Sequence, residues 1–339
     1  MLANQEETTR FHDILLSKLR RGTLANRALT KLAPLELVWS RKYLKMPIDR
    51  PIFIVGAPRS GTSILYQILY QHPDLAHFTQ ASDLFPECPI LANRFFRVTG
   101  LSQLRPTSIA FRGWAAHGYM FAEGYNTWRY FAKHNSVLEA HDVTHEQRSF
   151  YRQLLQKHLF LFRRSRFINK SPFNSLRLTY LNEIFPNALF IHIHRDGRAV
   201  ARSTLEMRRK YGGPRFPFGP MPPKWSENEF KEPIVACGLQ WKLILEYIDK
   251  AISSISPERV FTVSYEAFCE YPVETIRQVL LFCGLANRSE VITMAGNAQN
   301  RDYKWRGELT PTEIERLEAA IGDALIKWGY KTLDVKKSR

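Results

Sequence analysis

Pro51-Ile-Phe-Ile-Val-Gly56-Ala-Pro-Arg-Ser-Gly-Thr-Ser63 decides the architecture of this chain. Ile52 to Val55 form an unbroken apolar run, which reads as a strand buried on both faces, as in a parallel sheet. Gly56 lets the chain turn tightly, and Gly61 lets backbone N–H groups approach a ligand. Ile64, Leu65, Ile68 and Leu69 then recur at helical spacing up to His72-Pro73. A strand, a glycine-rich loop and a helix in that order aim the positive end of the helix at an anion. Arg59 offers a fork matched to paired phosphate oxygens, Ser60 and Gly61 offer amides, and Thr62 and Ser63 add hydroxyl donors. A merely structural turn is the competing reading. The conjunction of strand, arginine, hydroxyls and amphipathic helix favours phosphate binding.

Downstream the same alternation continues. Strands are expected at Leu75–Phe78, Arg166–Asn169, Asn187–His194 and Arg259–Ser264. Helical patterns cover Gln147–Arg163, Leu176–Ile184, a stretch from Gly197, Val235–Ile252, Val273–Cys283 and Thr310–Trp328. Strands alternating with helices predict an α/β, three-layer P-loop-like fold with a central, mainly parallel sheet flanked by helices. Residues 1–50 carry ten basic side chains against five acidic ones and read as a basic helical arm. Residues 51–333 read as one domain, with an aromatic helical insert about 83–145 and a Gly/Pro-rich loop about 211–233. Residues 334–339 form a basic tail. A loop as long as 211–233 covers a site or forms a contact surface.

The chain has 339 residues and a net charge of +16, with 45% hydrophobic residues. That composition excludes a wholly disordered or fibrous chain. The charge favours an anionic partner without choosing one. Cys88, Cys237, Cys269 and Cys283 are too scattered for a metal knuckle or a CxxC pair, leaving one long-range bridge open. The His, Asp and Glu residues show no metal-ligand spacing, so no metal is expected. No basic–aromatic repeat or groove-reading motif argues for nucleic acid. No signal peptide and no run of 18 apolar residues is visible, so a cytoplasmic protein is expected. Peripheral contact with a membrane and a homodimer stay open.

The loop resembles that of nucleoside triphosphatases as far as the lysine position, where Thr62 stands. Losing that lysine removes the usual γ-phosphate contact, which demotes a P-loop kinase or phosphohydrolase to an alternative. A noncatalytic nucleotide- or polyanion-binding module is another. Further segments then point one way. His194-Arg-Asp-Gly-Arg-Ala-Val-Ala-Arg-Ser203, Asn169-Lys-Ser-Pro172, Ser264-Tyr-Glu-Ala-Phe268 and Asn300-Arg-Asp-Tyr-Lys-Trp305 accompany the loop. Together they resemble the sulfotransferases that use 3′-phosphoadenosine 5′-phosphosulfate, nearest the branch that includes protein-tyrosine sulfotransferases.

The resemblance implies that the Arg59–Ser63 loop holds the 5′-phosphosulfate of that donor. It implies that Arg195 and Ser203 hold the 3′-phosphate and that Lys170 is catalytic, at the oxygen bridging sulfur and phosphate. Arg195 leaves a strand and Ser203 lies about two helical turns on, so the pair can clamp one phosphate. Lys304 adds a cation, and Trp305 or Tyr303 could pack on adenine. The product is the corresponding bisphosphate, released once a hydroxyl of a small molecule, lipid or carbohydrate is sulfated.

The acceptor hydroxyl needs a base. The tyrosine-sulfating branch places a glutamate where this chain has Gln80, which is no base. Glu87 is the preferred substitute, with Asp83, His141 and Asp142 behind it. His192 and His194 share one strand face and read as structural. Trp114, Tyr119, Phe121, Tyr125, Trp128 and Tyr130 either shape an acceptor pocket or stabilise the insert.

Overall fold

The computed structural model describes residues 23–39, 41–100, 122–132, 137–223, 225, 232–296 and 304–333. The fold is α/β, a mainly parallel five-stranded sheet flanked by helices. Its strands are β1 (Ile52–Val55), β2 (Leu75–Ala76), β3 (Arg166–Lys170), β4 (Leu189–His194) and β5 (Val260–Ser264). The described residues divide into two compact units, each discontinuous in sequence. One is drawn from Met1–Pro51, Pro73–His134 and Thr144–Asn169. The other is drawn from Ile52–His72, Asn135–Val143 and Lys170–Arg339.

In the second unit, β4 lies between β1 and β5 and runs parallel to both, with Ile54 opposite Ile191 and Ile191 opposite Phe261. All four residues of β1 are buried, which is why this stretch reads as continuous apolar sequence rather than alternation. Helix Gly197–Tyr211 follows β4 directly and packs on helix Pro233–Ile252, which in turn packs on helix Pro311–Lys327. Pro233 opens its helix at the first position, where a missing N–H costs nothing.

In the first unit, β2 pairs in parallel with β3, Leu75 lying opposite Arg166. Helix His145–Phe162 starts at a capping box in which Thr144 Oγ1 accepts from the Gln147 amide at 3.2 Å. The aromatic segment packs against this helix. Trp128 stacks on Tyr151 at 4.9 Å and donates from Nε1 to Asn169 Oδ1 at 2.8 Å. Tyr130 stacks on Phe150 at 4.5 Å. These two aromatics therefore fasten the segment to that helix and to β3. Trp114, Tyr119 and Phe121, like residues 1–22 of the arm and the 334–339 tail, lie outside the described residues.

All four cysteines are free, which answers the open question of a bridge. Among the described residues, no helix is long and apolar enough to cross a membrane.

Candidate functional site

The loop leaving β1 is held from below and from the side. Ser175 Oγ accepts from the Gly56 amide at 3.0 Å and donates to the Gly56 carbonyl at 2.8 Å. Gly61 caps helix Thr62–Leu69 at φ 94°, outside the range an L-residue prefers. A Cβ there would lie 2.5 Å from Tyr265 Cδ2, so the loop lies directly against that ring. Thr62 is buried in the first turn, while Ser63 is exposed. Ser60 is fully buried, and its Oγ has no hydrogen-bond partner among the described residues. A buried hydroxyl without a partner is costly unless a ligand completes it.

The second anchor meets the first. Arg59, itself at φ 70°, donates from Nε to Ser203 Oγ at 2.9 Å. Arg195 donates from Nη1 to the Arg59 carbonyl at 3.1 Å, and its guanidinium lies 4.2 Å over the Tyr265 ring. Tyr265 is thus a shared platform, packed against Gly61 and stacked by Arg195. Desolvation first, and the neighbouring Arg195 charge second, lower the proton affinity of Arg59, although the residue keeps an exposed surface. Two arginines brought together against their own repulsion are an arrangement that can receive an anion.

Asp196, next in the chain to Arg195, caps helix Gly197–Tyr211, accepting from the Arg198 amide at 2.9 Å and from the Arg198 guanidinium at 2.7 Å. Burial works against the Arg198 charge, but Asp196 and Glu318 outweigh it and raise its pKa. Arg198 is therefore a structural group, lying 4.3 Å over the Trp305 ring. Trp305 is buried, a core anchor, and Lys304 beside it is half-buried at the start of helix Lys304–Glu308. Arg202 pairs with Glu206 and Glu308. Asn300 to Tyr303 lie outside the described residues.

Lys170 closes β3 and is buried. The short 3-10 helix Pro172–Leu176 follows at once and carries Ser175, the residue clasping Gly56. Lys170 thus stands five residues before the serine that holds the loop. The Gly/Pro-rich stretch also reaches the loop. Gly219 presses on Pro58, where an added Cβ would come within 2.5 Å of Pro58 Cγ. The Gln240 amide fastens this stretch by donating to the carbonyls of Phe218 at 2.9 Å and Pro220 at 2.7 Å. Neither Tyr265 nor Gln240 was singled out as a site residue from sequence. Ser264-Tyr-Glu266 was the signal for the first, and nothing local marks the second.

The acid and histidine groups sort differently. Glu87 lies in the first unit, half-buried, and its carbonyl accepts from Lys157 Nζ at 2.9 Å. Asp83, in the same unit, is committed: it accepts from Thr127 N at 2.9 Å, Thr127 Oγ1 at 3.1 Å and Asn126 Nδ2 at 3.3 Å. Burial raises its pKa. Gln80 opens the short helix that carries Asp83. His141 is an exposed side chain beside Glu139 and Asp142 in a surface turn. His192 is packed edge-on to Trp328 at 5.2 Å, and His194 Nδ1 lies 2.8 Å from Tyr330 Oη, as structural histidines on one strand face. No group of three His, Cys, Asp or Glu side chains among the described residues could hold a metal ion.

Residues 51–289 match the model of the sulfotransferase family. Protein-tyrosine sulfotransferase A of Caenorhabditis elegans is 22% identical over 287 residues, 82% of this chain and 60% of that protein. The chain thus spans three-fifths of that relative's length. The omega-hydroxy-beta-dihydromenaquinone-9 sulfotransferase Stf3 of Mycobacterium tuberculosis is 23% identical over 324 residues, 87% of this chain and 79% of that protein. Among solved structures, sulfotransferase STF9 from Mycobacterium avium superposes with a TM-score of 0.59 at 16% identity, covering 88% of this chain and 82% of that one. STF1 from Mycobacterium tuberculosis gives 0.57 at 17%, covering 92% of each. At such identities the likeness is one of fold.

Proposed function

The chain belongs to the sulfotransferase family, and from that premise we propose that it transfers a sulfuryl group from 3′-phosphoadenosine 5′-phosphosulfate to a hydroxyl. When bound, the donor supplies an activated sulfur joined to a phosphate leaving group. The loop amides, Arg59, Ser60, Gly61, Thr62 and Ser63 hold its 5′ end. Arg195 and Ser203 hold the 3′-phosphate, and Lys304 adds charge nearby. The observation that carries this reading is the Arg59–Ser203–Arg195 cluster beside the partnerless Ser60 hydroxyl.

In the displacement, the acceptor oxygen bonds to sulfur as the sulfur–phosphate oxygen bond breaks. The acceptor proton passes to a base, and the bisphosphate leaves. Lys170 would supply positive charge to the leaving oxygen, so its contribution would be larger in the transition state than in the bound reactants. Glu87 is the proposed base, since its carboxylate accepts no hydrogen bond from described residues, whereas Asp83 is engaged three times. The Asn169-Lys-Ser-Pro172 segment supports kinship with the tyrosine-sulfating branch, with Gln80 as the departure from it. The acceptor is a small-molecule, lipid or carbohydrate hydroxyl.

The test is transfer of labelled sulfate from the donor to a panel of small-molecule, lipid and sugar hydroxyls. Label in any one class supports the proposal and names the acceptor. A folded protein that fails to bind the bisphosphate product overturns it. Binding without transfer to any of the panel favours a noncatalytic nucleotide-binding module.

A further inference from the structure

Within the first unit lies a cavity of about 920 Å³ unrelated to the residues above. Arg94, Arg97, Arg163 and Arg164 converge on it, and Phe160 and Phe162 are among the apolar side chains lining it. No aspartate or glutamate lines it. The nearby acids are engaged elsewhere: Glu36 pairs with Lys157 at 2.9 Å, and Asp49 faces Arg50 and Arg166. The buried Arg164 Nε has no hydrogen-bond partner among the described residues. Arg97 and Arg163 each end a helix, where a cation complements the dipole. That accounts for single arginines, but not for four sharing one acid-free cavity.

Helix Pro89–Val98 presents a second feature beside it. Its inner face, with Ala92 and Phe96, is packed in the core with Ala81, Phe85 and Cys88. Its outer face carries Arg94 and Arg97 next to Phe95 and Val98, which are 41% and 87% exposed. Apolar side chains flanked by arginines suit the boundary between headgroups and acyl chains. Arg163 and Arg164 enter β3 at the end opposite Lys170, so the cavity is apart from the lysine assigned to sulfuryl transfer.

We propose that this cavity binds the phosphate of an anionic phospholipid headgroup, with Phe95 and Val98 dipping into the bilayer. The arginines neutralise the headgroup, and the apolar lining accepts the glycerol and first methylenes. Charge complementarity selects the occupant, because a zwitterionic surface offers no net countercharge to four clustered cations.

The experiment is sedimentation of the full chain with phosphatidylserine-rich vesicles and with pure phosphatidylcholine vesicles, at moderate salt. Wild type should sediment with the first and not the second. Each basic side chain near an anionic surface contributes about fivefold in partitioning, so Arg94→Gln with Arg97→Gln should weaken binding about thirtyfold. Phe95→Ser with Val98→Ser should weaken it without changing the charge. Unchanged bisphosphate binding and thermal midpoint show that these variants are folded. Should the arginine pair fail to fold, the exposed Phe95 and Val98 variant decides alone. Equal sedimentation with both vesicles, or undiminished binding by folded variants, overturns the proposal. Inorganic phosphate or single-stranded RNA that binds the cavity while anionic vesicles do not also overturns it.

Discussion

Replacing Gly61 by alanine is the sharpest probe of how the phosphate loop is held. Gly61 sits at φ 94° and ψ 0°, and a methyl group there would come within 2.5 Å of Tyr265 Cδ2. Two costs follow. Backbone strain of this kind is worth about 1–3 kcal/mol. The ring must also retreat by about 1 Å to regain an ordinary carbon–carbon separation. Gly213 separates the two costs, because it has φ 104° with nothing within 4 Å of an added Cβ. Gly213→Ala should therefore show the strain alone. Gly61→Ala should lower stability by about 2–4 kcal/mol, a few degrees in Tm for a chain of this size. Because Arg195 rests on the displaced ring at 4.2 Å, bisphosphate affinity should also fall by about tenfold or more. Differential scanning fluorimetry and isothermal titration with the bisphosphate read both effects. If Gly61→Ala binds as tightly as wild type, or loses no more stability than Gly213→Ala, the close packing of loop on Tyr265 is refuted.

Asp83→Ala should destabilise by about 1–3 kcal/mol by stranding the Thr127 amide and hydroxyl. Asp83→Asn should retain sulfuryl transfer, and its loss with unchanged stability would make Asp83 the base instead of Glu87. Gln240→Ala frees the Phe218–Pro220 strap and should raise the KM for the donor several-fold with little change in kcat; an unchanged KM would dismiss that strap. Burial holds His158 and His192 at about 3 and His194 at about 4, below the usual value for histidine. The unfolded chain therefore binds more protons below pH 6.5, and stability present above that value is lost as pH falls toward 4. Each such group costs about 2 kcal/mol at pH 5. Thermal unfolding at pH 7 and pH 5 should show the drop, with His192→Phe losing part of it. Equal midpoints at the two pH values would contradict it.

The sheet was legible because parallel strands buried on both faces leave apolar runs, as at Ile52–Val55 and Leu189–Ile191. The helices that follow were equally plain from their periodicity. The anion loop was readable because glycine, arginine and hydroxyl occur together. What the sequence hid depends on distant contacts. Tyr265 lies 204 residues from Gly61 yet touches it, and Gln240 acts through carbonyls about 20 residues away. Arg195 and Arg198 look interchangeable in sequence, but strand exit and helix cap send one to Tyr265 and the other to Asp196 and Glu318. Asp83 looked free to act as a base because its three donors come from a segment more than 40 residues on.

Lys170→Ala separates binding from transfer. Labelled transfer from the donor and titration with the bisphosphate should be run on this variant and on wild type together. Wild type should bind and transfer. Lys170→Ala should bind the bisphosphate within a few-fold of wild type and lose transfer by about 100-fold or more, the scale set by removing one group that stabilises transition-state charge. A variant that binds and transfers like wild type would contradict the catalytic assignment of Lys170.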